Sequence, residues 1–357
     1  MSTIKTNIVG KKILITGSAG FIGFHVVLAL LKQGYCVVGL DNLNDYYDTS
    51  LKKYRLKNIK EYVALERCPE RYSFYEKDLS DYDAVSKIFN DEQFDIVINL
   101  AAQAGVRYSI TNPTSYVSSN LTGFFNILEC CRHNKIEHLL YASSSSVYGI
   151  NSETPFKETH GTDHPISLYA ATKKSNEILA HSYSHLYGLA CTGLRFFTVY
   201  GPYGRPDMAY FKFVKAIING DPIDVFNQGN LSRDFTYIDD VVTAISKLVI
   251  KPPVVEDAST SCYKAPYKIF NVGNNNPVSL MNFIESIEKS LGILAIKNFV
   301  EMQDGDVPTT FAAIESLNGY IGYQPETSID LGIEKFVKWF NVYTDYLINV
   351  SDKKENG

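Results

Sequence analysis

Short apolar runs alternate with helical patterns through the first two hundred positions. Residues 11–16, Lys-Lys-Ile-Leu-Ile-Thr, read as a short buried strand. A glycine-rich turn follows, and then an apolar helical run as far as Leu31. Residues 35–40 form a second strand pattern that closes on Asp41. Further strands are predicted at 72–77, 94–100, 137–142 and 189–197, and helices at 120–131 and 168–187. Strands alternating with helices in this way predict a parallel sheet covered on both faces. The predicted strands end at Asp41, Asp78, Leu100, Ser143 and Phe197. Polar and small residues therefore collect at the edge where such sheets bind ligands.

After Tyr200 the pattern changes. Residues 201–206 are a loop by their Gly and Pro content. A helix at 209–219, a strand at 223–226, a polar segment at 233–240 and a helix at 241–250 follow. Residues 252–268 read as a surface loop, 268–272 as a strand returning to the first unit, and 351–357 as a polar tail. The expected organisation is a domain over residues 1–200, with a returning segment near 239–272. A smaller C-terminal α/β substrate domain takes most of 201–350, interleaved with it.

Composition narrows the classes. A length of 357 residues suits one large domain or two coupled ones, and 45% apolar residues suffice for a sizeable core. The formal net charge is -5 and no long basic run occurs, so nucleic acid is not expected as a partner. The six cysteines, Cys36, Cys68, Cys130, Cys131, Cys191 and Cys262, show no Cys-x-x-Cys spacing. They read as reduced thiols of a cytoplasmic protein, with no metal site or disulfide framework. No segment approaches the ~18 apolar residues that span a bilayer, so no membrane association is expected. The first apolar run, Ile13 to Ile15, is too short for a secretory leader. Composition alone does not account for the 25 tyrosines.

The first turn carries chemistry. Gly17-Ser-Ala-Gly20-Phe-Ile-Gly23 stands between a strand and a helix, and an acid closes the next strand. That placement makes it a dinucleotide-binding turn. Gly17 would make the turn, Gly20 would let backbone approach a pyrophosphate, and Gly23 would let helix and strand pack closely. The helix N-terminus would add amide donors and partial positive charge. Asp41 would accept from the adenosine ribose hydroxyls and repel a 2′-phosphate. No arginine stands beside it in sequence, which argues for NAD over NADP. Asp78-Leu79 would neighbour adenine, and Ala101-Ala102 would leave room for a cofactor after Leu100. The fold class is therefore α/β, a Rossmann-type parallel sheet with helices on both faces plus the smaller C-terminal domain.

On the predicted helix 168–187, Tyr169 and Lys173 are four residues apart, one turn along one face. A phenol has an ordinary pKa of ~10 and is a poor base at pH 7. A cation at ~4 Å, at an effective dielectric of ~20, is worth about 4 kcal/mol. That is enough to bring a phenol close to neutrality. Such a pair could take a proton from a sugar hydroxyl while a hydride leaves the same carbon. With 25 tyrosines in the chain, this spacing also arises by chance, so its neighbours decide its meaning.

Those neighbours carry a family resemblance. The glycine turn, Ser143-Ser-Ser-Ser-Val-Tyr-Gly149 and Tyr169-Ala-Ala-Thr-Lys173 together resemble the extended short-chain dehydrogenase/reductase group of nucleotide-sugar enzymes. The stretches 41–48, 100–109, 194–208 and 233–240 are similar to those of bacterial UDP-glucuronate 4-epimerases within it. The resemblance extends to about Pro308. It implies NAD as cofactor, a UDP-sugar as substrate, and interconversion of UDP-glucuronate and UDP-galacturonate through a 4-keto sugar. Ser144, Tyr169 and Lys173 would be catalytic: a hydroxyl on the sugar 4-OH, the base, and its pKa setter and nicotinamide-ribose ligand. Phe21, Ile22, Asn42, Leu79, Leu100, Phe196 and Val199 would join the cofactor contacts. Arg107, Ser145, Thr198 and Arg205 would face the sugar, Arg233 the diphosphate, and Asp306 the uridine ribose. A homodimer would form on residues 114–132 and 168–187.

The chain departs from the family pattern at Gln303, Asp304 and Ala313. The first two stand in a segment where relatives hold phosphate, and Ala313 bears on packing. Three rivals remain. A 4,6-dehydratase would need acids where Ser145 and Ser146 stand. A uronate decarboxylase would share the 4-keto intermediate. A non-catalytic NAD-binding regulator would lack Tyr169, Lys173 or the hydroxyl at 144.

Overall fold

The computed structural model describes residues 10–255, 264–303 and 307–355. In chain order its strands are β1 (Lys12–Thr16), β2 (Cys36–Asp41), β3 (Tyr72–Glu76), β4 (Ile96–Asn99), β5 (His138–Ser144) and β6 (Cys191–Phe196). They continue with β7 (Thr198–Tyr200), β8 (Ile223–Phe226), β9 (Ser232–Tyr237), β10 (Tyr267–Val272), β11 (Pro277–Ser279) and β12 (Lys297–Val300). Seven of them form one sheet in the order β10-β6-β5-β4-β1-β2-β3. Every pairing in it is parallel. This is the Rossmann arrangement, and the strand order reverses between β1 and β4, opening a crevice there.

Side chains alternate across the sheet. Ile13 and Ile15 of β1 join the core on one face, with Phe24, Val27 and Leu31 of helix Phe21–Lys32. Leu14 joins the core on the other, with Ile88 and Phe89 of helix Tyr82–Glu92 and Ile127 of helix Gly123–His133. Burial on both faces explains why these strands read as continuous apolar runs.

The returning strand is β10, which pairs with β6 at the sheet edge. The predicted strand 189–197 forms as β6 alone, and a strand the pattern does not predict, β7, begins just past its end in another sheet. β6 lies in the large sheet, and β7 pairs with β9 in a three-stranded sheet ordered β11-β9-β7. The change occurs at Phe197, whose N–H donates to Val272 O at 3.1 Å. Asp234 of β9, fully buried, accepts from the backbone of Asn274 (2.6 Å), Asn275 (3.1 Å) and Ala312 (2.9 Å). It thereby ties the small sheet to the end of β10. β8 and β12 form a separate parallel pair.

Two long helices escape the periodicity reading. Helix Thr49–Leu65 has a mixed polar face, and helix Ile329–Glu355 runs into the segment that reads as a polar tail. Aromatic rings join them. Tyr54 and Tyr346 lie 4.4 Å apart, and Tyr203 lies 5.1 Å from Trp339, which stacks on Tyr343 at 5.2 Å. Part of the tyrosine excess is spent on this seam. Among the described residues, no helix is long and apolar enough to cross a membrane. Cys262 lies outside the described residues, and the other five cysteines are unpaired.

His138 of β5 is 1% exposed, and its Nε2 lies 2.8 Å from Thr192 Oγ1. Burial pushes its pKa down to about 4, against ~6.5 in an unfolded chain. The unfolded state therefore binds the extra proton, and stability is lost as pH falls from 6.5 toward 4. At pH 5 the loss is about 2 kcal/mol. Thermal unfolding at pH 7 and pH 5 should show this gap shrinking in His138→Gln, which does not titrate.

Candidate active site

A cavity of about 430 Å³ lies along the crevice. It runs from the glycine turn past the ends of β1, β4 and β5 to β7 and the loop after it.

At the cofactor end, glycine is required by contact. Gly17 has φ +69°, and a Cβ there would stand 2.8 Å from Ala101 N. A Cβ on Gly23 would stand 2.1 Å from Gly17 O. Phe21 and Ile22 line the cavity beside this cradle, as do Leu79, Leu100, Ala101, Ala102, Phe196 and Val199. Asp41 Oδ1 accepts from Leu43 N at 2.9 Å and Oδ2 from Ala19 N at 3.2 Å. Asn42 donates to Asp78 Oδ2 at 2.6 Å. Burial works against the Asp78 charge, but bonds from Ser80 and Asn42 hold its carboxyl below the ordinary range. These residues fit a dinucleotide: a side-chain-free cradle for phosphates and a buried acid beyond it. The sequence argument missed Lys52. It is buried, with Nζ 3.7 Å from Asp41 Oδ1 and donating to Asn44 at 3.0 Å. It offsets part of the negative charge expected to repel a 2′-phosphate.

Helix Leu168–Tyr187 starts at Ser167, whose side chain accepts from Ala170 N at 3.1 Å. This cap fixes the first turn and with it Tyr169. Lys173 is buried and donates to Ala142 O of β5 at 3.0 Å, and burial lowers its pKa to about 8. Burial raises the Tyr169 phenol above its ordinary value, while a hydrogen bond with Ser144 and the Arg205 charge pull it back. The Lys173 side chain, which helical spacing places on the same face as Tyr169, reaches the strand backbone. Ser144 Oγ also accepts from Ser146 N at 3.2 Å, and Ser145 lines the cavity beside it.

At the far end, Thr198, Arg205 and Arg233 line the same cavity. Arg233 Nη1 donates to Ser232 O at 2.9 Å and Pro308 O at 3.1 Å. Arg107 is not among the lining residues. It is exposed, at the start of helix Tyr108–Thr111, with its guanidinium over the Phe226 ring at 5.3 Å. Asp304 and Asp306 lie outside the described residues. Ala313 is buried, its N–H donating to Phe156 O at 2.9 Å.

The model of the NAD dependent epimerase/dehydratase family matches residues 13–273. The chain belongs to this family. It is 57% identical to protein CapI of Staphylococcus aureus over 338 residues, 93% of this chain and 99% of the relative. It is 47% identical to a probable UDP-glucuronate 4-epimerase of Rhizobium meliloti over 335 residues, 92% of this chain and 96% of the relative. Among solved structures it resembles the UDP-glucuronic acid 4-epimerase of Bacillus cereus in complex with UDP-glucuronic acid and NAD. The TM-score is 0.81 at 33% identity, covering 93% of this chain and 99% of that one.

In this family member the site rests on polar supports that no local motif announces. The predicted helix 120–131 opens with a π-helical turn, Val117–Thr122, before the α-helix Gly123–His133. Such turns often mark functional sites. Here the turn presents Asn120, whose Nδ2 donates to Thr172 Oγ1 (3.1 Å) and Gln103 O (3.0 Å). Asn176 returns a bond to Asn120 O at 2.6 Å. Behind Ser144, Glu177 Oε1 accepts from Ser143 Oγ (2.6 Å) and Arg195 Nε (2.8 Å), and its Oε2 from Arg195 Nη2 (2.9 Å). Arg195→Met should leave the buried Glu177 charge with only Lys174, 3.9 Å away, to balance it, a loss toward the lower end of about 3–5 kcal/mol. The double variant Glu177→Leu/Arg195→Met should recover most of that stability in denaturant melts. An Arg195→Met loss below ~1 kcal/mol would show the pair to be dispensable.

Proposed function

We propose that this protein interconverts UDP-glucuronate and UDP-galacturonate by oxidising and re-reducing sugar C4, with NAD held throughout. What carries the reading is one cavity that holds the glycine cradle and Asp41, the Ser144–Tyr169–Lys173 group, and Thr198 with Arg205. The similarity to UDP-glucuronate 4-epimerases supports the same substrate. Gly17, Gly20 and Gly23 would hold the cofactor diphosphate, Asp41 its adenosine ribose, and Lys173 its nicotinamide ribose. Bound NAD supplies hydride acceptance and return at C4.

Tyr169 takes the 4-hydroxyl proton and gives it back to the C4 oxygen once the opposite face of C4 has been reduced. To take that proton Tyr169 must first be the tyrosinate; its burial opposes that form, and Ser144 and Arg205 favour it. Arg233 anchors the diphosphate while the flat 4-keto sugar turns over. That intermediate is a β-keto acid, which loses carbon dioxide when the carboxyl bond stands perpendicular to the carbonyl plane. Hydroxyls of Thr198, Ser144 and Ser145, with the Arg205 cation, hold the carboxylate out of that alignment.

A homodimer fits the exposed apolar residues of the two helices read as its interface. Phe125, Ile178 and Leu186 are 45%, 59% and 64% exposed. The unpaired cysteines agree with a cytoplasmic setting.

The deciding experiment is incubation with UDP-glucuronate and product analysis by NMR. UDP-galacturonate is the expected product, and UDP-4-keto-pentose as the main product would make the protein a decarboxylase. Tyr169→Phe should lower turnover by ~10²–10⁴ while UDP-sugar binding is kept. Near-normal turnover would remove Tyr169 from the mechanism. Thr198→Ala should slow epimerisation and release detectable UDP-4-keto-pentose. If the rate is normal and no pentose forms, Thr198 does not restrain the carboxylate.

A further inference from the structure

Arg205 already holds a carboxylate. Its Nε donates to Asp207 Oδ1 at 2.9 Å and its Nη2 to Asp207 Oδ2 at 2.6 Å. This is the two-bond fork that a guanidinium makes with a carboxylate ligand. Asp207 Oδ2 also accepts from the Tyr46 hydroxyl at 3.2 Å. Burial pushes the Tyr46 pKa up to about 12, so the hydroxyl stays a donor at working pH. Tyr46 is held in place by its ring contact with Tyr108 at 4.7 Å and by its approach to Gly105, where a Cβ would lie 2.7 Å from the hydroxyl. The Arg205 and Asp207 side chains are each 24% exposed, and Arg205 lines the cavity with Tyr169 and Thr198. The groups acting most on Arg205 are Asp207 and the phenols of Tyr46 and Tyr47. Asp207 is the anion among them.

We infer that Asp207 is a built-in competitor for the sugar carboxylate: it occupies the Arg205 fork until a uronate displaces it, and Tyr46 keeps the released Asp207 hydrogen-bonded. The inference rests on the uronate reading above. Its physical basis is exchange. Breaking a partly buried ion pair outright leaves one charge unpaired, which is costly. Replacing one carboxylate by another keeps Arg205 paired throughout. The sugar carboxylate must move when the 4-keto ring turns over, and Asp207 can take the fork back as it departs. A ground state bound without such a competitor would be deeper and harder to leave. A sugar without a carboxylate cannot offer the exchange, so it leaves the Arg205–Asp207 pair closed. Asp207 therefore moderates the preference for a uronate by competition rather than by contact with the substrate.

The test measures binding in the NAD-loaded full chain, in a Tyr169→Phe background that stops turnover. The readout is the ratio of the UDP-glucose to the UDP-glucuronate dissociation constant by calorimetry. Asp207→Asn should raise this preference about tenfold, a change of ~1.4 kcal/mol, because Arg205 loses its competitor. Asp207→Glu should return it toward the parent value. Tyr46→Phe should lower it, because the displaced Asp207 then lacks a donor. An unchanged preference in Asp207→Asn, or a fall in both Asp207→Asn and Tyr46→Phe, would make the pair a loop brace and overturn the inference. Should Asp207→Asn not fold, the sign of the Tyr46→Phe change decides alone, a rise or no change refuting the exchange. Absence of UDP-galacturonate from the Tyr169-bearing protein would sink the epimerase reading separately, since the binding ratio does not depend on turnover.

Discussion

The buried ion pair between Glu177 and Arg195 is the contact on which the site geometry depends. Their side chains are 2% and 3% exposed. Burial opposes the Arg195 charge, yet the Glu177 carboxylate holds its pKa above the ordinary value. The pair joins the helix that carries Tyr169 and Lys173 to β6, and through Ser143 to β5. From Arg195 the network continues through the Tyr148 hydroxyl at 3.0 Å to Asn271 of β10 at 2.7 Å. Asn271 then donates to Phe156 O and Ala313 O. Catalytic helix, three strands and the segment near 313 are thus located by one polar cluster. A cluster satisfied at every member specifies a single arrangement more sharply than apolar packing does.

A second tie crosses from the cofactor turn to the sugar loop. Arg55 is fully buried, and its Nη1 donates to Ala19 O at 2.8 Å while its Nη2 donates to Tyr203 O at 2.7 Å. His25 adds a bond to Pro202 O at 2.9 Å. The loop carrying Arg205 is therefore referenced to the glycine turn, and the tyrosine seam along the C-terminal helix covers it from outside. The glycine turn and the loop carrying Arg205 keep their spacing because they share these bonds.

Burial sets the acid–base character of the centre. It raises Tyr169 and lowers Lys173 to about 8, so each is pressed toward its neutral form. At Tyr169 a hydrogen bond with Ser144 and the Arg205 charge work against this. Arg205, paired with Asp207, thus acts on the phenol as well as on its own loop.

The sequence by itself determined the sheet, the glycine cradle and most of the cavity. Strand–turn–helix units are local, and their periodicity and glycine placement are visible one segment at a time. Helices 168–187 and 209–219 and strand 223–226 have the limits that the pattern predicts. Tyr169 was legible from its helical spacing, and Ser144 and Thr198 from the family resemblance of the stretches that carry them. Only the tertiary structure could decide what lies beside them. Lys52 meets Asp41 across a turn of chain, Arg195 meets Glu177 across a strand, and Asp207 meets Tyr46 across 161 positions. It also began a second sheet at Thr198, put a π-helical turn at Asn120, and left Arg107 on the surface over Phe226. These outcomes depend on which charges and carbonyls become neighbours after burial. That is a property of the packed chain, and no spacing along it carries the information.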